Sequence, residues 1–167
     1  LERLSHAEAR GARIYAEVLG GKMMADAHHV TGLDMESEAL TRLICDTVRQ
    51  SQIDPQEIGY INAHGTGTRQ NDVMESRGIR RALGSHADRV CVSALKAMLG
   101  HLVNASGSVE LALTTLALRD GFVPPTANLT TPDPLCDLDY TPVTAKSRPI
   151  NTAMKLSLGF GGHILAG

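Results

Sequence analysis

From Glu36 to Ala94 the chain alternates stretches of helical spacing with apolar runs too short to be helices. Within Glu36 to Ser51 the residues Leu40, Leu43, Ile44, Thr47 and Val48 fall on one face, and Pro55 follows as a stop. Asp72 to Leu83 is helical again and ends at Gly84, while Ile58 to Ala63 and Val90 to Ala94 read as short buried strands. Helices and strands in this alternation predict βαβ units, so the fold class is α/β.

Outside that segment, Leu1 to Arg10 has helical spacing and stops at Gly11, and Arg13 to Val18 alternates charged and apolar residues at the period of a half-buried strand. From Gly107 a helix is predicted in which Leu111, Leu113, Leu116, Ala117 and Leu118 lie nearly all round, the pattern of a helix buried on most of its surface in the middle of a layer. Pro124, Pro125, Pro132 and Pro134 force an extended connector, after which Asn151 to Phe160 and Gly162 to Ala166 read as two closing strands about a Gly-Phe-Gly-Gly turn. A length of 167 residues with 43% hydrophobic content suits one domain spanning 1–167. The first residue is Leu1 and the last run, HILAG, is apolar and uncapped, so the sequence reads as a piece of something longer.

Charge and cysteine usage exclude several classes. Sixteen Lys plus Arg against eighteen Asp plus Glu give a net charge of -2, with no basic block to serve a nucleic-acid partner. No apolar run reaches the roughly 18 residues of a membrane span, and LERLSHAEARG lacks the core of a signal peptide, so a cytoplasmic location is expected. Cys45, Cys91 and Cys136 are widely spaced with no CxxC pair, which points to reduced, mostly buried thiols rather than a disulfide framework or a zinc ribbon.

Three segments could carry chemistry. HGTGT, His64 to Thr68, follows a predicted strand but has neither the GxxxxGKS/T nor the GxGxxG pattern of phosphate loops. It is either a turn in which Thr66 or Thr68 caps the next helix and His64 is a satisfied loop histidine, or a place where an imidazole acts. In KAMLGHLVNASG, Lys96 to Gly107, a lysine precedes His101 by five residues. This is either the start of a helix with a solvated lysine, or one half of a pair. The pair would be two glycine-adjacent histidines, each after a short strand, at the end of a parallel sheet where ligands bind. A neutral imidazole donates one N–H, so two aimed at one oxygen make an oxyanion site. Zinc would want a further His, Cys or carboxylate at chelating spacing, which neither segment supplies, and His28 and His29 would point to opposite faces of a strand. In SLGFGGH, Ser157 to His163, Phe160 sits between glycines in a chain with 3% aromatics. It either plugs a core edge at a tight hairpin or rides a mobile backbone that brings a ring and an N–H to a ligand.

Taken together, NAHGTGTxxxDxxE at Asn62 to Glu75, SALKAMLGHLVNASGSVE at Ser93 to Glu110 and GFGG at Gly159 to Gly162 resemble, in order and spacing, the C-terminal half of the β-ketoacyl-acyl carrier protein synthases. IYAEVLG, DAHH and VPPTANL resemble that family's connecting segments, so the resemblance covers essentially the whole chain. It implies a thiolase-like, layered α/β/α fold with a mixed sheet and a buried central helix, of which this chain is the second of two similar halves. The implied activity is an acyltransferase reaction that joins an acyl thioester to malonyl-carrier protein with loss of carbon dioxide, a Claisen condensation in fatty-acid or polyketide elongation. By the same resemblance His64 and His101 are the two catalytic histidines that stabilise the enolate oxygen, where removing one donor costs about 3 kcal/mol. Lys96 has an electrostatic and structural role near the second histidine with Glu110 as its partner. Thr66 and Thr68 contact the phosphopantetheine arm, Asp72 and Glu75 are a supporting acidic pair, and Phe160 gates the acyl pocket and lends its backbone N–H to the oxyanion hole of acyl transfer. The implied partners are acyl carrier protein, the N-terminal ketosynthase half and a second copy in a homodimer. Neither a metal nor a cofactor is implied beyond the phosphopantetheine of the carrier.

The sequence also departs from the family pattern. The family's nucleophile is a cysteine in the N-terminal half, and none of Cys45, Cys91 and Cys136 has the small-residue turn context of that nucleophile. Leu158 stands where an aromatic is usual and His163-Ile164 where Thr-Asn is common, and the resemblance gives His163 no catalytic role. Alone, the chain is expected to be inactive in condensation. It is either the C-terminal part of a ketosynthase or a free-standing thiolase-like domain that binds a carrier protein or partner subunit without condensing anything.

Overall fold

The computed structural model describes residues 1–167. Its helices are α1 (Leu4–Ala9), α2 (Glu38–Ser51), α3 (Arg69–Leu83), α4 (Lys96–Leu99) and α5 (Ser106–Asp120). Its strands are β1 (Lys22–Ala25), β2 (Ile58–Asn62), β3 (Cys91–Ser93), β4 (Phe122–Val123), β5 (Lys146–Ser147), β6 (Thr152–Gly159) and β7 (His163–Ala166). Five strands form one mixed sheet in the order β1-β7-β6-β2-β3, in which β6, β2 and β3 are parallel and β7 is antiparallel to both its neighbours. β4 and β5 make a separate antiparallel ribbon.

The layers follow from which side chains are apolar and at what period. α2 buries Leu40, Leu43, Ile44, Thr47 and Val48, the same five residues whose spacing marks its inner face. With Met74, Ile79 and Leu83 of α3 and Ile61, Val92, Met154 and Leu156 of the strands, the four apolar members of that set belong to one core of 18 residues. Tyr60, Cys91, Ala117, Val123 and Ile150 form a smaller cluster on the α5 side. Helices, sheet and helix are therefore stacked as α/β/α. In a regular strand Ile58 and Tyr60 would share a face. The register against β6 slips between them, so Ile58 joins the α2/α3 core while Tyr60 packs on the α5 side.

Several sequence expectations need correction. Arg13 to Val18 is not a strand: it is irregular and exposed, and the sheet edge is occupied instead by β1, paired with β7. Alternation alone does not make a strand without an edge to pair with; here Tyr15 stacks with Arg13 and Arg119, whose guanidinium carbons lie 5.0 and 5.7 Å from its ring centroid. His28 and His29 lie in a turn beyond β1 rather than in a strand, and His29 Nδ1 accepts from the N–H groups of Thr31 (3.1 Å) and Gly32 (2.8 Å). α5 is not buried on most of its surface. Its buried line is Ser106, Glu110, Thr114 and Ala117, a largely polar stripe, while Leu111, Leu113, Leu116 and Leu118 are half-buried. The inward face is polar because it meets charged and amide side chains of the sheet; the leucines flank that stripe on faces the chain covers only in part. The proline-rich connector carries β4 and β5 at its ends and is fastened near β3, where Thr126 Oγ accepts from Ala94 N–H (3.1 Å) and donates to Tyr140 O (2.6 Å). No helix is long and apolar enough to cross a membrane.

Candidate active site

His64 lies just beyond the C-terminal end of β2, and its loop is held from α3. The buried Glu75 carboxylate accepts His64 N–H through one oxygen (2.6 Å) and Gly65 N–H through the other (2.9 Å). Burial pushes this carboxyl above its ordinary range, against the pull of those two N–H groups. Gly65 is at φ +44°, and a Cβ there would stand 2.4 Å from Ala94 Cβ, so the approach of this loop to the end of β3 requires glycine. Asp72 Oδ1 takes Gly67 N–H at 3.3 Å. Thr66 and Thr68 pair through their hydroxyls at 2.8 Å; Thr68 occupies the N-cap position of α3 but makes no side-chain cap bond.

The two histidine segments meet in space. The rings of His64 and His101 have centroids 5.6 Å apart and planes at 84°, edge to face. His64 is 7% exposed, and neither ring nitrogen has a hydrogen-bond partner in the chain. Burial first, then the charges of Lys96 and Lys155 and the neighbouring His101, lowers its pKa to about 3, so the ring is neutral at neutral pH. His101 is exposed, and its Nδ1 accepts Val103 N–H at 3.0 Å. Since an amide N–H only donates, Nδ1 carries no proton and the neutral ring presents an Nε2–H. Val103, a β-branched residue, is held at φ +52°, a strained conformation at the point where its N–H meets the imidazole.

A buried ionic cluster supports this pair. Lys96 Nζ donates to His64 O (2.6 Å) and to Glu110 Oε1 (2.7 Å), as the expected lysine–glutamate pairing requires. The other oxygen of Glu110 lies 2.7 Å from Lys155 Nζ, an ion pair missing from the sequence expectations. Its one signal in the sequence is a lone charge inside the apolar run of β6. Lys155 stands in register with Asn62, whose Nδ2 donates to Glu110 O (3.1 Å) and Thr114 Oγ (2.8 Å). Lys96, Glu110 and Lys155 are 8%, 1% and 6% exposed, and burial pulls the Lys155 ammonium below the ordinary lysine range.

Phe160 is 80% exposed at the turn after β6, and because β6 is parallel to β2, that turn lies at the same sheet edge as His64. The cysteines stand elsewhere: Cys45 in α2, Cys91 at the opposite end of β3 from His101, and Cys136 in the connector. His163 opens β7 and pairs with Ala25 and Gly159. A groove of about 390 Å³ between Tyr15–Gly20, α5 and the first residues of β2 and β6 opens at the other edge of the sheet. No three His, Cys, Asp or Glu side chains converge as a metal site would need. What the histidine edge does offer is two neutral imidazoles side by side, able to donate N–H groups to one developing negative oxygen.

Comparison with known proteins agrees with this geometry. Residues 15–130 match the model of the beta-ketoacyl synthase C-terminal domain, a span that holds both histidine segments. The chain is 46% identical over 163 residues to 3-oxoacyl-[acyl-carrier-protein] synthase 2 of Synechocystis sp., covering 98% of this chain and 39% of that protein. It superposes on the ketosynthase complex AntDE:AntF, described as a type II PKS acyl-carrier protein with its ketosynthase bound to the hexaketide, with a TM-score of 0.96 and 42% identity over 99% of this chain and 40% of the other. A beta-ketoacyl synthase from Burkholderia phymatum gives a TM-score of 0.92 at 34% identity, over 99% and 40%. The chain thus spans about two fifths of the length of the curated relatives it matches. With the layered fold, the ordered motifs and these matches in agreement, the chain belongs to the β-ketoacyl synthase family, as its C-terminal domain.

Proposed function

We propose that this chain is the portion of a β-ketoacyl-acyl carrier protein synthase that decarboxylates the malonyl unit, in an enzyme that extends fatty-acid or polyketide chains by Claisen condensation. The observation that carries this reading is the neutral pair His64 and His101, edge to face at 5.6 Å, beyond the ends of adjacent parallel strands. When the malonyl carboxylate leaves as carbon dioxide, the electrons of the broken C–C bond pass into the thioester carbonyl. Negative charge then builds on its oxygen, where two imidazole N–H donors stabilise it. The enolate carbon next attacks an acyl thioester held on a cysteine, and the thiolate is the leaving group. In this reading the cysteine and half of the acyl pocket come from an N-terminal half, and the whole enzyme is a homodimer.

The remaining site residues take supporting parts. Lys96 orients the His64 backbone through its carbonyl, and Glu110 is the counter-ion of that lysine. Glu75 and Asp72 shape the His64 loop, the Thr66 and Thr68 hydroxyls receive the phosphopantetheine arm of acyl carrier protein, and Phe160 gates the acyl pocket with its N–H in the acyl-transfer oxyanion hole. The ketosynthase bound to its carrier protein in the AntDE:AntF complex supports the choice of partner.

The division of labour is testable by intact-mass spectrometry. The chain mixed with acyl-carrier protein is expected to gain no stoichiometric acyl adduct on Cys45, Cys91 or Cys136. A covalent acyl adduct on any of the three would overturn it.

A further inference from the structure

The buried side of the histidine site contains two carboxylates and two ammonium groups. Glu75 reaches the His64 backbone from α3, and Glu110 meets the two lysines from α5; Lys96 comes from α4 and Lys155 from β6, with His101 beyond α4 and the half-buried Asp72 on α3 completing the titratable surroundings. Glu110 divides its oxygens between the two lysines, 2.7 Å from each. Glu75 commits both its oxygens to the His64–Gly65 backbone, and its acceptor role there fits the ionised form. If Lys155 were absent, Lys96 would be the one ammonium left beside Glu110. The cation nearest to hand would then be His64 itself, by taking up a proton.

We propose that Lys155 is a positioning residue for the histidine pair: by supplying the second buried positive charge, it keeps His64 an unprotonated, single-donor imidazole and holds Glu110 fixed between α4 and β6. The low titration of His64, to which Lys155 contributes after burial and Lys96, agrees with that placement. A protonated His64 would carry a full charge into the ground state, and its interaction with a malonyl carboxylate would oppose the departure of that carboxylate. This purpose rests on the oxyanion reading of the pair given above, whereas the placement of charge does not.

The test is the titration of the His64 ring by ¹⁵N NMR, without any thioester present, in the unsubstituted chain, Lys155→Gln and Lys155→Arg. Lys155→Gln keeps a hydrogen-bonding group beside Glu110 and removes the charge; it is expected to raise the His64 titration by at least about one pH unit, as loss of a nearby like charge does. Lys155→Arg restores the charge and is expected to return the titration toward that of the unsubstituted chain. A His64 titration that is the same in all three overturns the proposal. So does a Lys155→Gln chain that stays unfolded between pH 5 and 6, since protonated His64 is expected to take over the missing charge there. Failure here leaves the decarboxylation reading intact, and failure of a decarboxylation assay leaves the charge assignment intact.

Discussion

Glu110→Gln isolates the ionic cluster that underlies the site. The carboxylate is 1% exposed and touches two ammonium groups at 2.7 Å. At an effective dielectric of about 20, each such contact is worth roughly 6 kcal/mol of attraction, against a desolvation cost of several kcal/mol per ion. The amide removes both attractions and leaves both lysines buried, so the variant is expected to lose about 3–5 kcal/mol of stability. For a chain of this size that corresponds to a melting temperature lower by about 10 °C. The loss is also expected to depend on pH. Lys155 already lies below the ordinary lysine range and falls further without its carboxylate, so the unfolded chain binds its proton more tightly than the folded one. The stability of the variant therefore rises with pH up to the ordinary lysine value of about 10.4, and the deficit shrinks on that side. Urea unfolding at pH 7 and pH 9.5 measures both quantities, with Glu2→Gln as a control whose midpoint stays put because the Glu2–Arg10 pair is solvent-exposed. A loss below about 1 kcal/mol at pH 7, or one that is constant with pH, would refute the reasoning.

Four further outcomes rest on the same structure. His64 has its folded pKa lowered to about 3 from an ordinary 6.5, so its contribution to stability is complete above 6.5 and is lost as pH falls; urea midpoints are expected to show roughly 2 kcal/mol lost between pH 6.5 and 5, absent in His64→Asn. Gly65→Ala, which meets Ala94 Cβ at 2.4 Å from a left-handed backbone, is expected to cost about 2–4 kcal/mol in thermal or urea unfolding. Gly67→Ala, at φ +72° with open space around its Cβ, is expected to cost about 1 kcal/mol in the same measurement. The half-buried leucines of α5 and exposed Ile14, Tyr15, Val18 and Leu19 leave apolar surface uncovered, so light scattering of the chain alone is expected to show self-association, and a monodisperse monomer would count against that.

The elements legible in the sequence are those whose pattern and packing share one period. α2 shows its buried face at 3.6-residue spacing because an apolar core meets it, and β2 and β3 read as apolar runs because helices cover both faces. β1 escapes notice because KMMA is a four-residue edge strand between glycines and a loop, with alternate residues exposed. α5 misleads because its inward stripe is polar: Glu110 and Thr114 face the lysines and Asn62, and hydropathy cannot announce a buried face that is paid in ion pairs. Within the site, two glycine-adjacent histidines after short strands are enough to pair His64 with His101, whereas the pairing of Lys96 with Glu110 comes from the family resemblance. Lys155 was hidden because a lysine in a strand reads as a solvent-facing residue until its carboxylate partner, on a distant helix, is known.

The central claim is that His64 and His101 act as one oxyanion site. Its most direct test is the rate of carbon dioxide release from malonyl-acyl carrier protein by the whole condensing enzyme carrying His64→Ala or His101→Ala. Each variant is expected to lose about 10²-fold or more, as removal of one oxyanion donor does. Release within about twofold of the unsubstituted enzyme for either variant, with the protein folded, would contradict the claim.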